Sequence, residues 1–143
     1  MDQSDENFAK LIIEIVPKTM GFIRAQMRAV AGSEFTVPQY RLLSHIVRNE
    51  HSTNGDLAQW MGVSAPTMSK MVDSLVNRGL VNRKTRSGDA RQTFISATAK
   101  GTQKAKSIQS AVITALALKL SPMTQNKKEA LAQGLEFLRA IIF

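Results

Sequence analysis

Residues 64–98 read SAPTMSKMVDSLVNRGLVNRKTRSGDARQTFISAT, and this stretch decides the fold of the chain. Ser64 is a residue type that caps helix N-termini, and Pro66 falls in the first turn, where its missing N–H is harmless. Apolar side chains then recur at helical spacing until Gly79, the usual residue for a left-handed helix end. The stretch therefore opens with a predicted amphipathic helix.

A two-stranded hairpin is predicted to follow this helix. Two strand-forming runs, Leu80–Arg83 and Gln92–Ser96, flank the polar, basic and turn-forming residues 84–91. Upstream, Thr53-Asn54-Gly55-Asp56 has the form of a capping box and opens a short helix that ends at Gly62. Two helices joined through a glycine-containing turn indicate a helix-turn-helix, and the hairpin beside it would be its wing.

The rest of the chain is predicted to be helical, because its apolar residues recur every three to four positions. The fold class is therefore mainly α with a small antiparallel β-wing. The predicted helices cover residues 6–31 with a kink or brief break at Pro17, about 36–49 behind the capping box Thr36-Val37-Pro38-Gln39, 98–120 behind Thr98, and 121–142 behind Ser121-Pro122.

Positive charge is concentrated in the same part of the chain. Residues 64–106 carry nine basic and two acidic side chains, a net charge of +7 against +8 for all 143 residues. A basic stripe on a folded element attracts a polyanion, because each neutralised phosphate releases condensed counterions. Shape and charge together predict double-stranded DNA as the partner.

The exposed side of the helix after Ser64 is predicted to be a recognition surface. Its side chains are small or hydrogen-bonding, and such a face can lie in the major groove without steric obstruction. The alternative is an ordinary solvated helix face, and the basic hairpin next to it favours the DNA-binding interpretation. The candidate residues are Ser64, Ala65, Thr67, Ser69 and Lys70.

The wing carries a second set of candidate DNA contacts, for which the alternative is a solvated surface loop. Like charges on a small loop repel one another unless an anion arrives, and arginine suits the narrow, electronegative minor groove. Asp89 precedes Arg91 by two residues, close enough to hold its guanidinium in one geometry. The candidate wing residues are Arg83, Lys84, Arg86, Asp89 and Arg91. Phosphate affinity is expected mostly from Lys70, Arg83, Lys84 and Arg86, and position and sequence from Thr67, Ser69 and Arg91.

These motifs, in this order, resemble the MarR family of bacterial transcription regulators. The resemblance implies a winged helix-turn-helix in each subunit of a homodimer, with the first and last helices at the dimer interface. It implies the Ser64 helix in the major groove and Arg91 in the minor groove. It also implies, for many members, an anionic or phenolic inducer between the dimer region and the DNA-binding lobe. The matching residues are Thr36-Val37-Pro38-Gln39-Tyr40, Asp56-Leu57-Ala58, Ser64, Thr67, Met68, Leu75, Arg78-Gly79-Leu80-Val81, Arg83, Asp89-Ala90-Arg91 and Thr98-Ala99-Lys100-Gly101.

The sequence departs from the family pattern at two positions. Ala90 stands where the wing commonly has arginine, so one phosphate contact is expected to be missing. Ala97 stands where leucine is frequent, so packing at the exit of the wing is expected to be looser. The chain has no cysteine, which excludes the thiol-based sensors of the family.

We expect a single MarR-type domain over residues 1–143. Its winged-helix DNA-binding lobe would span residues 36–98, and its helical dimerisation region would combine residues 1–35 with 99–143. The last two helices carry apolar stripes too wide for so small a chain to cover, which predicts a homodimer. The alternative is a monomer with an apolar patch that serves as another interaction site.

A small aromatic or anionic effector is a further predicted partner. The candidate pocket residues are Phe22, Tyr40 and Trp60. A tryptophan on a short helix is more often a core residue, and we predict that role for Trp60 while the pocket stays an alternative.

Nothing in the sequence predicts an enzyme, a metal site or a cofactor. The chain has two histidines, and it lacks the motifs of nucleophilic or phosphate-loop chemistry. His45 sits among apolar helix neighbours and is predicted to be packed or partly buried, whereas His51 is expected in a loop. Zinc would need more clustered ligands.

The N-terminus is acidic and polar, unlike a signal peptide, and the apolar runs are too short to cross a bilayer. We therefore expect a cytoplasmic protein without membrane association. The predicted function is sequence-specific transcription regulation at a pseudopalindromic operator, as a repressor that a small ligand releases. The alternative is a winged-helix interaction module that binds an acidic protein partner, and an enzyme that binds small molecules is the least favoured class.

Overall fold

Six α-helices and a small antiparallel sheet make up the residues that the computed structural model describes, 2–86 and 89–143. The predicted fold class is confirmed. The elements are, in order, α1 (Gln3–Ala31), a 3-10 turn (Gly32–Glu34), α2 (Val37–Arg48), β1 (Ser52–Thr53), α3 (Asn54–Met61), α4 (Ala65–Asn77), β2 (Val81–Arg86), β3 (Asp89–Ala97), α5 (Ala99–Leu120) and α6 (Gln125–Ile142).

The two predicted capping boxes are confirmed at the starts of α2 and α3. Thr36 Oγ1 accepts a hydrogen bond from the Gln39 backbone N–H at 3.3 Å, and Gln39 Oε1 accepts one from the Thr36 backbone N–H at 3.1 Å. Thr53 and Asp56 form the same reciprocal pair, with distances of 3.1 and 3.2 Å. Each box satisfies backbone donors that a helix start leaves free, so both helices begin where the sequence predicts.

Two details of the helix prediction are wrong. The predicted brief break at Pro17 does not occur, because α1 runs through this residue. The alternative, a kink at Pro17, stays a prediction. The last helix does not begin at Ser121-Pro122. The Ser121 hydroxyl donates back to the Leu118 carbonyl at 2.9 Å, so these residues form a turn, and α6 begins after Thr124.

The sheet has three strands in the order β1-β3-β2, so the prediction of a two-stranded hairpin was incomplete. The hairpin pairs Val81 with Ala97 at its base. On the other edge, Ser52 pairs with Ile95. A strand of two residues is too short to show an alternating pattern, so no pattern in the sequence predicts β1.

The hydrophobic core lies inside the winged-helix lobe and joins it to α5. In contrast, α6 has no buried residue, and α1 has two, both near its C-terminal end. No helix among the described residues combines the length and apolarity that crossing a bilayer requires. The fully buried side chains of the core include Leu42, Leu43, Ile46, Leu57, Met68, Val72, Leu75, Val81, Ile95 and Ile108.

Candidate nucleic-acid interface

Ser64 fixes the start of α4, the predicted recognition helix. Its Oγ accepts a hydrogen bond from the Thr67 backbone N–H at 3.2 Å, which is the predicted cap. The same hydroxyl donates to Thr67 Oγ1 at 2.8 Å, so the Thr67 hydroxyl keeps its own proton for an outside acceptor.

The predicted recognition residues lie together at the N-terminal end of α4. Ala65, Thr67 and Lys70 are exposed, whereas Ser69 is half-buried. The opposite side of the helix is anchored by fully buried Met68, Val72 and Leu75. Because that apolar side is buried, the Thr67 hydroxyl and the Lys70 ammonium point outward. Hydroxyl and ammonium groups are among those that hydrogen-bond to base edges.

Arg83 on β2 reaches back to α4. Its Nη1 donates a hydrogen bond to Asp73 Oδ1, and its Nη2 donates to the Ser69 carbonyl at 3.3 Å. The sequence predicts a phosphate contact for Arg83. In the structure its guanidinium lies between the wing and the recognition helix, and the phosphate contact stays a prediction.

The other wing candidates fall into two groups. Lys84 is exposed on β2. The side chains of Arg86, Asp89 and Arg91 lie outside the described residues, so their predicted contacts with DNA stay predictions.

The start of α5 is hydrogen-bonded to the residues that follow α4. The Thr98 hydroxyl donates to the Gly79 carbonyl at 2.7 Å, and the Thr98 backbone N–H donates to the Leu80 carbonyl at 3.0 Å. Gly79 has φ +70°, a left-handed value that favours glycine. At Gly101, a Cβ atom would lie 1.9 Å from the Leu80 carbonyl oxygen, so only glycine allows this close approach. The orientation of α4 is thereby tied to α5.

A cavity of about 530 Å³ lies between α1, α2, α3 and α5. Tyr40 and Trp60 line it, as the pocket alternative predicts, but Phe22 is not among its lining residues. Ser44 also lines it, and its buried hydroxyl has no hydrogen-bond partner among the described residues. One part of the lining is apolar and another part is cationic, and no carboxylate is among the lining residues. These residues include Met20, Ile23, Met27 and Val112 on the apolar side and Arg41, Arg48 and Lys106 on the cationic side.

Trp60 is not a core residue, because 40% of its surface is exposed. Its ring stacks on His45 with centroids 3.8 Å apart, and the Arg41 guanidinium lies 5.6 Å from its centroid. The core prediction for Trp60 was wrong because Leu57 and Ala58 already occupy the buried side of the two-turn helix α3.

His45 is half-buried against Trp60, as predicted. Burial lowers the pKa of His45, and the charge of Arg48 lowers that pKa further. The lowered pKa favours the neutral form of the ring at pH 7.

A second, larger cleft of about 1030 Å³ opens between the 3-10 turn, the end of α4 and the start of α5. Its cations already have partners within the protein. Lys104 pairs with Glu34, and the hydrogen bond and charge of Lys104 lower the pKa of Glu34. Lys100 donates to the Arg78 carbonyl at 3.0 Å, and the Arg78 guanidinium lies 4.1 Å from the Phe35 ring centroid.

The predicted dimerisation region exposes a broad apolar surface on α1, α5 and α6. On α6, Phe137 is 70% exposed and Leu135 is 57% exposed. An exposed apolar surface of this extent is typical of a site that binds another protein surface. The other exposed groups include Phe8, Leu11, Ile12, Ile13, Ile15, Val16, Ile113, Leu118, Leu131, Ile141 and Ile142.

Within the described residues, no group of three or more histidine, aspartate or glutamate side chains is placed to hold a metal ion.

One family model matches part of the sequence, and solved structures share the fold. A model described as the MarR family matches residues 35–93, which span the helix-turn-helix and most of the hairpin. No curated protein matches the sequence.

Solved structures share the fold over nearly the whole chain. A MarR family protein from Bacillus stearothermophilus is 19% identical with a TM-score of 0.84, covering 99% of this chain and 98% of that one. RV1404 from Mycobacterium tuberculosis is 18% identical with a TM-score of 0.82, covering 99% and 95%. FabT from Streptococcus pneumoniae, solved in complex with DNA, is 13% identical with a TM-score of 0.72, covering 96% of each chain. At such identities the similarity concerns the fold.

Proposed function

This chain carries a MarR-family domain over residues 35–93, and on that premise we propose that it is a transcription regulator that binds double-stranded DNA. The observation that carries the proposal is the exposed N-terminal side of α4, set beside a basic hairpin. Residues 64–106, which contain both elements, account for +7 of the net charge of +8. A surface of this shape and charge complements a duplex groove flanked by phosphates.

The two elements have different tasks in this proposal. Thr67, Ser69 and Lys70 face base edges in the major groove, where hydroxyl groups serve any base and lysine suits guanine. Arg91 enters the adjacent minor groove, and Lys84 neutralises phosphate. Phosphate contacts supply affinity for any sequence, and contacts with base edges select among sequences.

We propose that the functional unit is a homodimer. Residues 1–35 and 99–143 form its dimerisation region, and residues 36–98 form the DNA-binding lobe. The support is the exposed apolar surface of α1, α5 and α6, which a second copy would remove from water. Two-fold symmetry then requires a pseudopalindromic operator with half-site centres about 10 bp apart.

Regulation is proposed to act through the 530 Å³ cavity. Its apolar side, its cationic side and the unpaired Ser44 hydroxyl suit a small aromatic or anionic ligand. The cavity touches α1 and α5 of the dimerisation region as well as α2 and α3 of the lobe. A ligand that binds better when the two lobes are wrongly spaced for DNA would release a repressor from its operator, in proportion to that difference in affinity.

A salt titration on random duplex tests the DNA proposal. We expect measurable affinity at low salt that falls steeply as salt rises, because several phosphates are neutralised in the complex. An acidic protein whose net negative charge is similar to that of the duplex serves as the control ligand. Tight binding to the acidic protein without binding to duplex would favour the interaction-module alternative and refute the DNA proposal.

A further inference from the structure

The contacts of Arg83 are unlike those expected of a phosphate-binding residue. Its guanidinium meets the Asp73 carboxylate and the Ser69 carbonyl, both on α4. The Arg83 side chain is 34% exposed, whereas that of Asp73 is 55% exposed. The arginine is therefore turned toward the helix, and its charge is met there by a carboxylate.

The two acceptors lie one helical turn apart. Ser69 is among the residues proposed to meet DNA, and Asp73 follows it by four positions on the same side of α4. The rigid fork of a guanidinium bridges two such acceptors at once. Arg83 thereby holds one turn of α4 against β2. This contact is separate from the hydrogen bonds between the start of α5 and residues 78–80.

We infer that Arg83 and Asp73 are positioning residues for DNA binding, which set the angle between the recognition helix and the wing. This inference rests on the proposed function. The two elements must enter neighbouring grooves together, so an error in their relative orientation weakens binding to a specific site more than binding to any duplex. In this role Arg83 does not supply the phosphate contact that the sequence predicts for it.

Charge alone predicts the opposite outcome for one variant. A carboxylate close to a DNA-binding surface repels phosphates, so Asp73→Asn should tighten DNA binding if the pair has no positioning role. In the positioning role, the same substitution loosens the hold on Arg83, because a neutral amide oxygen is a weaker acceptor for a guanidinium than a carboxylate, and operator binding weakens. Weaker operator binding by Asp73→Asn therefore supports the positioning role, and tighter binding supports simple charge repulsion.

The experiment compares Asp73→Asn, Arg83→Gln, Arg83→Lys and the swap Asp73→Arg with Arg83→Asp, using a selected operator and random duplex. We expect Asp73→Asn and Arg83→Gln each to weaken operator binding by roughly tenfold, with the salt slope unchanged. Arg83→Lys should recover only part of the loss, because lysine keeps the charge but lacks the fork. The swap should recover affinity relative to Arg83→Gln.

Lys84→Gln is the matched control, since it removes one positive charge from the next residue of the same strand. It should weaken both DNAs alike and flatten the salt slope by about one. An exposed ion pair contributes little to folding, so all variants are expected to fold, and melting temperatures check this.

Tighter binding by Asp73→Asn, or full affinity in Arg83→Lys together with a flatter slope in Arg83→Gln, would overturn the positioning role and leave the proposed function standing. Failure of the unaltered protein to bind any duplex would overturn both.

Discussion

Replacing Gly101 with alanine tests the contact between α5 and the end of α4. The added Cβ would lie 1.9 Å from the Leu80 carbonyl oxygen, whereas ordinary contacts of this kind begin at 3.4 Å. The two segments must therefore separate by about 1.5 Å, a gap that follows from those two distances. The Leu80 atoms in the way belong to the backbone, so no side-chain rotation relieves the clash.

The loss of stability can be worked from the contacts that the separation breaks. The two hydrogen bonds from Thr98 to the Gly79 and Leu80 carbonyls contribute about 1 kcal/mol each. Overpacking adds about 1–3 kcal/mol, and the better helix propensity of alanine returns up to about 1 kcal/mol. We expect Gly101→Ala to lower the free energy of unfolding by about 3 kcal/mol.

Urea or thermal unfolding at equal protein concentration measures this loss, and the melting temperature should fall by roughly 10 °C. Gly55→Ala is the matched control, because Gly55 also lies in the first turn of a helix capped by threonine, and its nearest contact is the Thr53 hydroxyl at 3.8 Å. The control should be neutral or stabilised by up to about 1 kcal/mol. Equal stability of the two variants would refute the close contact between α5 and Leu80.

Three further predictions concern DNA and assembly. Arg91→Ala should weaken operator binding strongly in a gel-shift titration while the protein stays dimeric, and unchanged affinity would refute the role of the wing arginine. Lys84→Ala should weaken binding to all sequences alike and flatten the salt slope by about one, whereas a loss confined to one sequence would count against a phosphate contact. Leu135→Asp should dissociate the dimer in analytical ultracentrifugation, because a carboxylate would be buried at the interface, and an unchanged dimer would exclude α6 from it.

Local chemistry made much of the fold predictable. Thr36 and Ser64 cap their helices with hydrogen bonds to residues three positions away, so the sequence alone contains the whole signal. The buried positions of α4 follow from helical periodicity in the same way. The role of Ser121 was less predictable, because a serine before proline suits a turn as well as a helix N-cap.

Contacts between distant residues were not predictable from patterns. Arg83 and Asp73 are ten positions apart on different elements, and a count of charges cannot tell a guanidinium that binds phosphate from one that binds a carboxylate. An acid on the recognition helix, within the basic segment, was the only available signal. The position of the Trp60 side chain is a similar case, because Trp60 lies on α3 and its neighbours His45 and Arg41 lie on α2.

Selecting bound fragments from a pool of random duplex DNA is the most direct measurement of what the surface of α4 and the wing does. We predict enrichment of one two-fold symmetric sequence whose halves are separated by about one helical turn. A pool recovered at low ionic strength without any enriched sequence, or with no retained DNA at all, would contradict it.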